Sequence, residues 1–225
     1  MTAGPAQITT VPESALVPAH VFDPVLTGAK AVSKRIVEGS LAFVMVVLFA
    51  PLMLLIAVGI KMDSPGPVLF RQRRIGLGGQ PFNIFKFRSM RQGAEQQLEA
   101  VVGGEVRPYC KPANDPRITA FGSFIRKTSL DELPQIFNIL NGTMSLVGPR
   151  PQTPKEVACY TKRQLRRLDV RPGITGAWQV SGRSNLTGEQ ALEIDVDYVE
   201  NHSFIGDVKI LARTLPVVLA RRGAV

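Results

Sequence analysis

From Gly39 to Ile60 the chain carries 22 residues without a charge, GSLAFVMVVLFAPLMLLIAVGI. As a straight helix this run reaches roughly 33 Å, against about 30 Å for the hydrocarbon core of a bilayer. A membrane-inserted helix accounts for it better than a buried helix of a soluble protein. Pro51, near the middle, removes one backbone hydrogen bond and crowds the preceding turn, so a kink is expected there. Both flanks are basic: Lys30, Lys34 and Arg35 precede the run, and Lys61, Arg71, Arg73 and Arg74 follow it. Basic flanks favour the cytoplasmic side, and here both ends ask for that side. A helix that enters, bends at Pro51 and returns satisfies both flanks. A kinked helix that crosses satisfies the length. The residues alone leave both readings open.

The remainder of the chain narrows the class. Residues 1–33 hold four prolines and no helical period, and read as a mostly unstructured tail. They lack the basic start and early apolar core of a secretory signal. With 45% hydrophobic and 20% charged residues among 225, wholesale disorder and fibrous repeats are excluded. The net charge of +9 points to an anionic partner: nucleic acid, acidic lipid or a phosphorylated small molecule. The two cysteines, Cys110 and Cys159, have no metal or disulfide-scaffold spacing. The only histidines are His20 and His202, so a histidine-based triad would rest on His202 alone. A metal, if used, should be a hard ion on oxygen ligands.

After the break at Asp63-Ser64-Pro65-Gly66-Pro67, the segments VLFRQRR and PFNIFKFRSM read as two strands joined by a glycine-rich turn. From Lys61 to Arg91 there are seven basic residues and one acid, which suits a surface facing lipid headgroups or phosphate. The glycines at 76, 78 and 79 lack the spacing of a nucleotide fingerprint. Residues 92–113 read as a helix followed by a loop. Thr153 onward, through KEVACYTKRQLRRL, reads as one helix with an apolar and a basic side, interfacial or simply exposed. A last amphipathic helix is expected from Asp207, ending at Arg221-Arg222.

Thr128-Ser129-Leu130-Asp131-Glu132-Leu133-Pro134-Gln135 marks a helix start. Ser129 with Glu132 fits a capping box, or Asp131 is itself the cap. Acids are at home at the positive end of a helix, so structure alone accounts for them. The same pair also suits chemistry. A carboxylate there is expected to keep a low pKa and stay ionised, near N–H groups that bind phosphate. An anionic nucleophile attacking a phosphate needs cations nearby, and Arg126 and Lys127 precede the pair. In Gly148-Pro149-Arg150-Pro151, Pro149 and Pro151 stiffen the backbone on either side of Arg150, giving either a rigid turn or a phosphate clamp. Arg171 and Arg183, in a turn-rich stretch with the only tryptophan, are further phosphate candidates.

Taken in order, these segments resemble the bacterial sugar transferase family, the monotopic polyprenyl-phosphate phosphoglycosyl transferases. The likeness runs from Lys34-Arg35-Ile36 and the proline-broken helix through Lys86-Phe87-Arg88-Ser89-Met90 and Ser129 to Gln135. It continues through Gly148 to Pro151, Arg171 to Gly176 and Trp178 to Arg183, so that it covers residues 34 to about 222. The resemblance implies transfer of sugar-1-phosphate from a UDP-sugar to undecaprenyl (polyprenyl) phosphate, with release of UMP. It implies Asp131 as covalent nucleophile, and Glu132 as its partner in Mg²⁺ binding or proton handling. Both carboxylates would be metal ligands. Lys86, Arg88, Arg126, Arg150, Arg171 and Arg183 would contact substrate. The late Trp178-Gln179-Val180-Ser181-Gly182-Arg183 motif is similar to that of members transferring a hexose phosphate in exopolysaccharide or O-antigen synthesis.

The implied fold is α+β and mostly helical: a disordered tail over 1–33, a proline-broken re-entrant membrane helix over 34–61, and a catalytic domain over 62–225. The domain would hold a small β-hairpin and several amphipathic interfacial helices. The expected location is the cytoplasmic face of the bacterial inner membrane. Inner-membrane lipid and a second copy, as a homodimer, are the expected partners; nucleic acid is not. In one departure, many members carry serine before the helix-breaking proline, where this chain has Ala50. The competing reading is a non-catalytic membrane-anchored protein that binds anionic lipid or nucleic acid through its basic face. It has no need of the two carboxylates.

Overall fold

The uncharged run lies inside a single 36-residue helix, α1 (Gly28–Asp63), roughly 54 Å long at 1.5 Å per residue. This is seen in a computed structural model that describes residues 21–94, 97, 115–182 and 186–219. The helix starts before residue 34, because Ala29, Lys30, Ala31 and Lys34 are good helix formers and extend it back to Thr27. The segment before it is also held in place: the Asp23 and Val25 backbone N–H groups both donate to Asp169, at 3.2 Å each. The expected unstructured tail therefore does not include residues 21–33, and its residues 1–20 lie outside the described ones. Helical structure continues through Pro51, since a proline removes one donor from the ladder and leaves the others.

One face of α1 packs on the rest of the chain on both sides of Pro51. Ala42, Met45, Val46 and Phe49 join a cluster with Ile84, Ile136, Ile139, Met144 and Leu146. Ile56 and Ile60, with Leu52, Met53 and Ala57 beside them, pack on Phe87 and Ile125. The opposite face is apolar and exposed, including Val37, Leu41, Phe43, Val44, Val47, Leu48, Leu54, Leu55 and Val58. Two polar anchors near the helix start fix its register. Glu38, 7% exposed, accepts from Ser145 Oγ at 2.6 Å and from the Leu146 N–H at 3.2 Å. Arg35 donates to the carbonyls of Ile139 and Leu140.

The expected hairpin follows as β1 (Leu69–Ile75) and β2 (Pro81–Phe87), antiparallel, with Phe70 opposite Lys86. Of the expected helix and loop over 92–113, almost all lies outside the described residues. Next come α2 (Ala120–Lys127), capped by Thr119 accepting from the Gly122 N–H, a 3-10 helix (Leu130–Gln135), and α3 (Ile136–Leu140). A short parallel pair, β3 (Ser145–Val147) and β4 (Gly173–Thr175), escaped the sequence reading. Its strands approach so closely that a Cβ on Gly173 would sit 2.1 Å from the Gly148 nitrogen, so only glycine fits there.

The stretch after Thr153 is two short elements, not one helix: α4 (Pro154–Val157) and a 3-10 helix (Gln164–Asp169). The break occurs because Thr161 and Gln164 cap each other reciprocally and start a new turn. It also splits the basic side: Arg167 points inward and is 5% exposed. The chain ends with α5 (Ala177–Val180), α6 (Gly188–Glu200) and α7 (Phe204–Leu219). α7 exposes Phe204, Ile205, Val208 and Leu215. Arg221 and Arg222 lie outside the described residues. The architecture is α+β and mostly helical, with a small antiparallel hairpin and one long apolar helix suited to membrane insertion.

Candidate active site

Asp131 and Glu132 sit in the first turn of the 3-10 helix. The chain reaches them through Ser129, whose φ of 56° is the only positive φ at a non-glycine residue among those described. This left-handed residue ends α2, its N–H donating to the Arg126 carbonyl at 3.0 Å, and turns the chain at once into the next helix. The capping box expected from Ser129 and Glu132 does not form: Ser129 makes no side-chain cap, and the Glu132 carboxylate points elsewhere. Such a strained residue two positions before a carboxylate pair is a frequent companion of functional sites.

Glu132 Oε1 accepts from Lys86 Nζ at 2.8 Å and from Arg150 Nη2 at 2.9 Å. Three separate parts of the chain thus meet at one oxygen. Asn138, fully buried on α3, holds two of them in register. Its Oδ1 accepts from the Phe85 N–H at 2.9 Å, and its Nδ2 donates to the Asn83 carbonyl at 2.7 Å. β2 is thereby bolted to α3, with Lys86 one residue from the bolt. Arg150 follows β3, in a backbone tied to β4 by the Gly173 N–H donating to the Pro149 carbonyl at 3.0 Å. Pro149 and Pro151 are both buried.

Asp131 accepts no hydrogen bond among the described residues. Burial and the neighbouring Glu132 charge push its carboxyl up to about 6, against the pull of Lys86, Arg126 and Arg150. The low pKa expected for a carboxylate at a helix start does not hold for Asp131, because a six-residue 3-10 helix offers too little to offset burial beside a like charge. It holds for Glu132: burial opposes ionisation, but the Arg150 and Lys86 charges and hydrogen bonds outweigh it and keep the carboxyl far below its ordinary value. Burial lowers the Lys86 pKa, with Arg150 adding to the effect and Glu132 opposing it. The site is therefore a basic carboxylate that no described residue hydrogen-bonds, beside a second carboxylate locked between two cations. Lys86, Arg126 and Arg150 all act on this carboxylate pair, a cationic setting that suits an anionic substrate.

Arg126, at the end of α2, is near enough to Asp131 for its charge to act on it. Arg88 and Arg171 are placed elsewhere. Arg88 is 7% exposed and donates to the Ser64 carbonyl at 2.6 Å, closing the end of α1. Arg171 donates to the Gly142 carbonyl at 3.0 Å, in the turn that follows α3. Both were expected on substrate; here each donates to a backbone carbonyl away from Asp131 and Glu132. Arg183 lies outside the described residues. No group of three or more His, Cys, Asp or Glu forms a metal cage among the described residues. Mg²⁺ that accompanies phosphates needs only one or two carboxylates, with the rest of its shell from substrate and water. Asp131 and the second Glu132 oxygen are the groups that could hold it here.

The bacterial sugar transferase family matches residues 29–221. The exopolysaccharide production protein ExoY of Rhizobium meliloti is 40% identical over 213 residues, covering 90% of this chain and 94% of that protein. A UDP-glucose:undecaprenyl-phosphate glucose-1-phosphate transferase of Xanthomonas campestris is 45% identical over 201 residues, covering 86% of this chain and 40% of its own length. An undecaprenyl-phosphate galactose phosphotransferase of Salmonella typhimurium is 40% identical over 197 residues, 85% of this chain and 41% of that protein. The chain thus spans about two fifths of the latter two and nearly all of the first.

Proposed function

Since this chain belongs to the bacterial sugar transferase family, we propose that it moves a hexose-1-phosphate from a UDP-hexose onto polyprenyl phosphate. The products are polyprenyl-diphosphate-hexose and UMP, as the first membrane step of exopolysaccharide or O-antigen synthesis. The names of the Xanthomonas and Salmonella relatives support the substrate class. The observation that carries the mechanism is the contrast within the dyad: Asp131 without a hydrogen bond among the described residues and raised to about 6, Glu132 clamped by Lys86 and Arg150.

In the first step an Asp131 carboxylate oxygen attacks the sugar-bearing phosphorus. A bond forms from that oxygen to phosphorus, the bond to the bridging oxygen breaks, and UMP leaves with the bridging oxygen. In the second step an oxygen of polyprenyl phosphate attacks the same phosphorus and Asp131 departs as carboxylate. A pKa near 6 leaves Asp131 mostly ionised at pH 7 yet more basic than an exposed aspartate. Lys86, Arg150 and Arg126 offset the repulsion between carboxylate and diphosphate. Glu132, ionised far below neutral pH, holds Lys86 and Arg150 in place instead of carrying protons. Mg²⁺, bound by Asp131 and the second oxygen of Glu132, would supply further neutralisation of the diphosphate.

The second substrate is lipid-bound, so the site must lie at the membrane surface. The packing of α1 supports a re-entrant, monotopic placement on the cytoplasmic face of the inner membrane. Both halves of the helix lie against one domain, while its apolar outer face is left for lipid. Lys34 near its start pairs with Asp207 of that same domain, and a crossing helix would carry one end away. UMP release by detergent-purified chain with Mg²⁺ tests the function. It is expected with UDP-glucose or UDP-galactose, with turnover only when undecaprenyl phosphate is added; no release with any UDP-hexose and lipid contradicts it.

A further inference from the structure

Arg167 and Asp195 form the most deeply buried ion pair among the described residues, at 5% and 1% exposure. Asp195 Oδ2 accepts from Arg167 Nη2 at 2.6 Å and from Nε at 3.2 Å. Burying such a pair is costly, and its net effect on stability is often close to that of an apolar replacement. What this pair touches is informative. Arg167 Nη2 also donates to the backbone carbonyl of Arg150 at 3.0 Å. Asp195 lies close enough to the Arg150 and Trp178 N–H groups to be acted on by them. Arg167 Nη1 meets Tyr160 Oη, and its guanidinium carbon stands 5.4 Å from that ring's centre, so the donor to Arg150 cannot swing away. From this anchored backbone, the Arg150 side chain reaches Glu132 at 2.9 Å.

We propose that Arg167 and Asp195 are positioning residues for the transfer reaction: they fix the Arg150 backbone so that its guanidinium meets Glu132 and the transferring phosphate. This rests on the function proposed above. Neither residue faces the substrate, and both act through Arg150. A misplacement of about 1 Å in such a clamp costs on the order of 100-fold in rate, and removing supporting residues behind a reactive site typically costs about 10–100-fold.

The test is a double-mutant cycle of Asp195→Asn and Arg150→Ala, read in activity and in thermal midpoint. Alone, Asp195→Asn is expected to lower kcat by about 10–100-fold, with a smaller effect on the KM for UDP-hexose. In the Arg150→Ala background it should cost less than about threefold, because there is no guanidinium left to aim. The midpoint should fall equally in both backgrounds, since alanine keeps the backbone carbonyl. The same loss of activity in both backgrounds would overturn the proposal. Arg167→Met with Asp195→Val removes both charges at similar combined volume and guards against simple unfolding. It is expected to fold and to be as slow as Asp195→Asn, and a wild-type rate would overturn the proposal. Turnover by the wild-type chain tests the function and the cycle tests the positioning, so each can fail without the other.

Discussion

Lys86 Nζ lies 2.8 Å from Glu132 Oε1, a contact that joins the hairpin to the 3-10 helix across 46 positions of sequence. Arg150 shares the same oxygen. The consequence is a division of labour between adjacent carboxylates, with Glu132 gathering the cations and Asp131 left beside them without a hydrogen bond from any described residue.

Lys86→Met should lower the rate of UMP release by about 100- to 1,000-fold, the usual cost of losing one donor to developing charge. The Lys86 charge also holds the Asp131 pKa down. The acid limb of the pH profile should therefore move to higher pH in the variant. A rate profile from pH 5 to 8, on wild type and variant, checks both effects.

Asp131→Asn should abolish transfer and stabilise the fold. The wild-type carboxyl is raised from 3.8 to about 6 in the folded chain, so between those values the folded state holds more protons than the unfolded one. Its ionisation therefore costs stability progressively as pH rises from about 4 to about 6, and the full cost is present above that. Allowing for partial exposure, the variant should gain on the order of 1–2 kcal/mol at pH 7, a rise of a few degrees in thermal midpoint. The gain should vanish near pH 4. An equal midpoint at pH 7 would contradict the environment assigned to Asp131.

Asn138→Ala should destabilise the chain by about 2–4 kcal/mol, since it strands the Phe85 N–H and the Asn83 carbonyl in a buried place. Lys86 should lose its register with Glu132 as well. Activity measured well below the new midpoint should then fall even where the protein remains folded.

Ser129→Gly should fold normally and keep near-wild-type activity, because glycine adopts a positive φ without strain. Ser129→Val should lose about 1–3 kcal/mol, because a β-branched residue resists that conformation, and activity should drop with the displaced Asp131. Thermal melts and UMP release on the two variants check the pair.

What was legible in the sequence was local. The apolar run, the Gly-rich hairpin turn and the acid pair after α2 each announce themselves within a few residues. The meeting of Lys86, Arg150 and Glu132 at one oxygen was not legible, because it depends on how β2 and β3 dock against the 3-10 helix. Arginine shows the limit most clearly. Arg88, Arg150, Arg167 and Arg171 all sit in motif-like surroundings, yet only Arg150 reaches the dyad. Arg88 and Arg171 are occupied by carbonyls, and Arg167 is drawn inward by Asp195, 28 positions on. The one usable sign of Asn138 was a lone amide inside the apolar stretch IFNIL. The low pKa expected for Asp131 failed because spacing carries no information about burial.

In the proposed mechanism Asp131 forms a covalent bond to the phosphosugar. Intact-protein mass spectrometry tests it directly, on detergent-purified chain mixed with Mg²⁺ and UDP-glucose or UDP-galactose, with no polyprenyl phosphate present. A mass gain of one hexose phosphate is expected, absent in Asp131→Asn and discharged when undecaprenyl phosphate is added. Lipid-dependent UMP release without any adduct would contradict it, and would mean that the lipid phosphate displaces UMP in a single step.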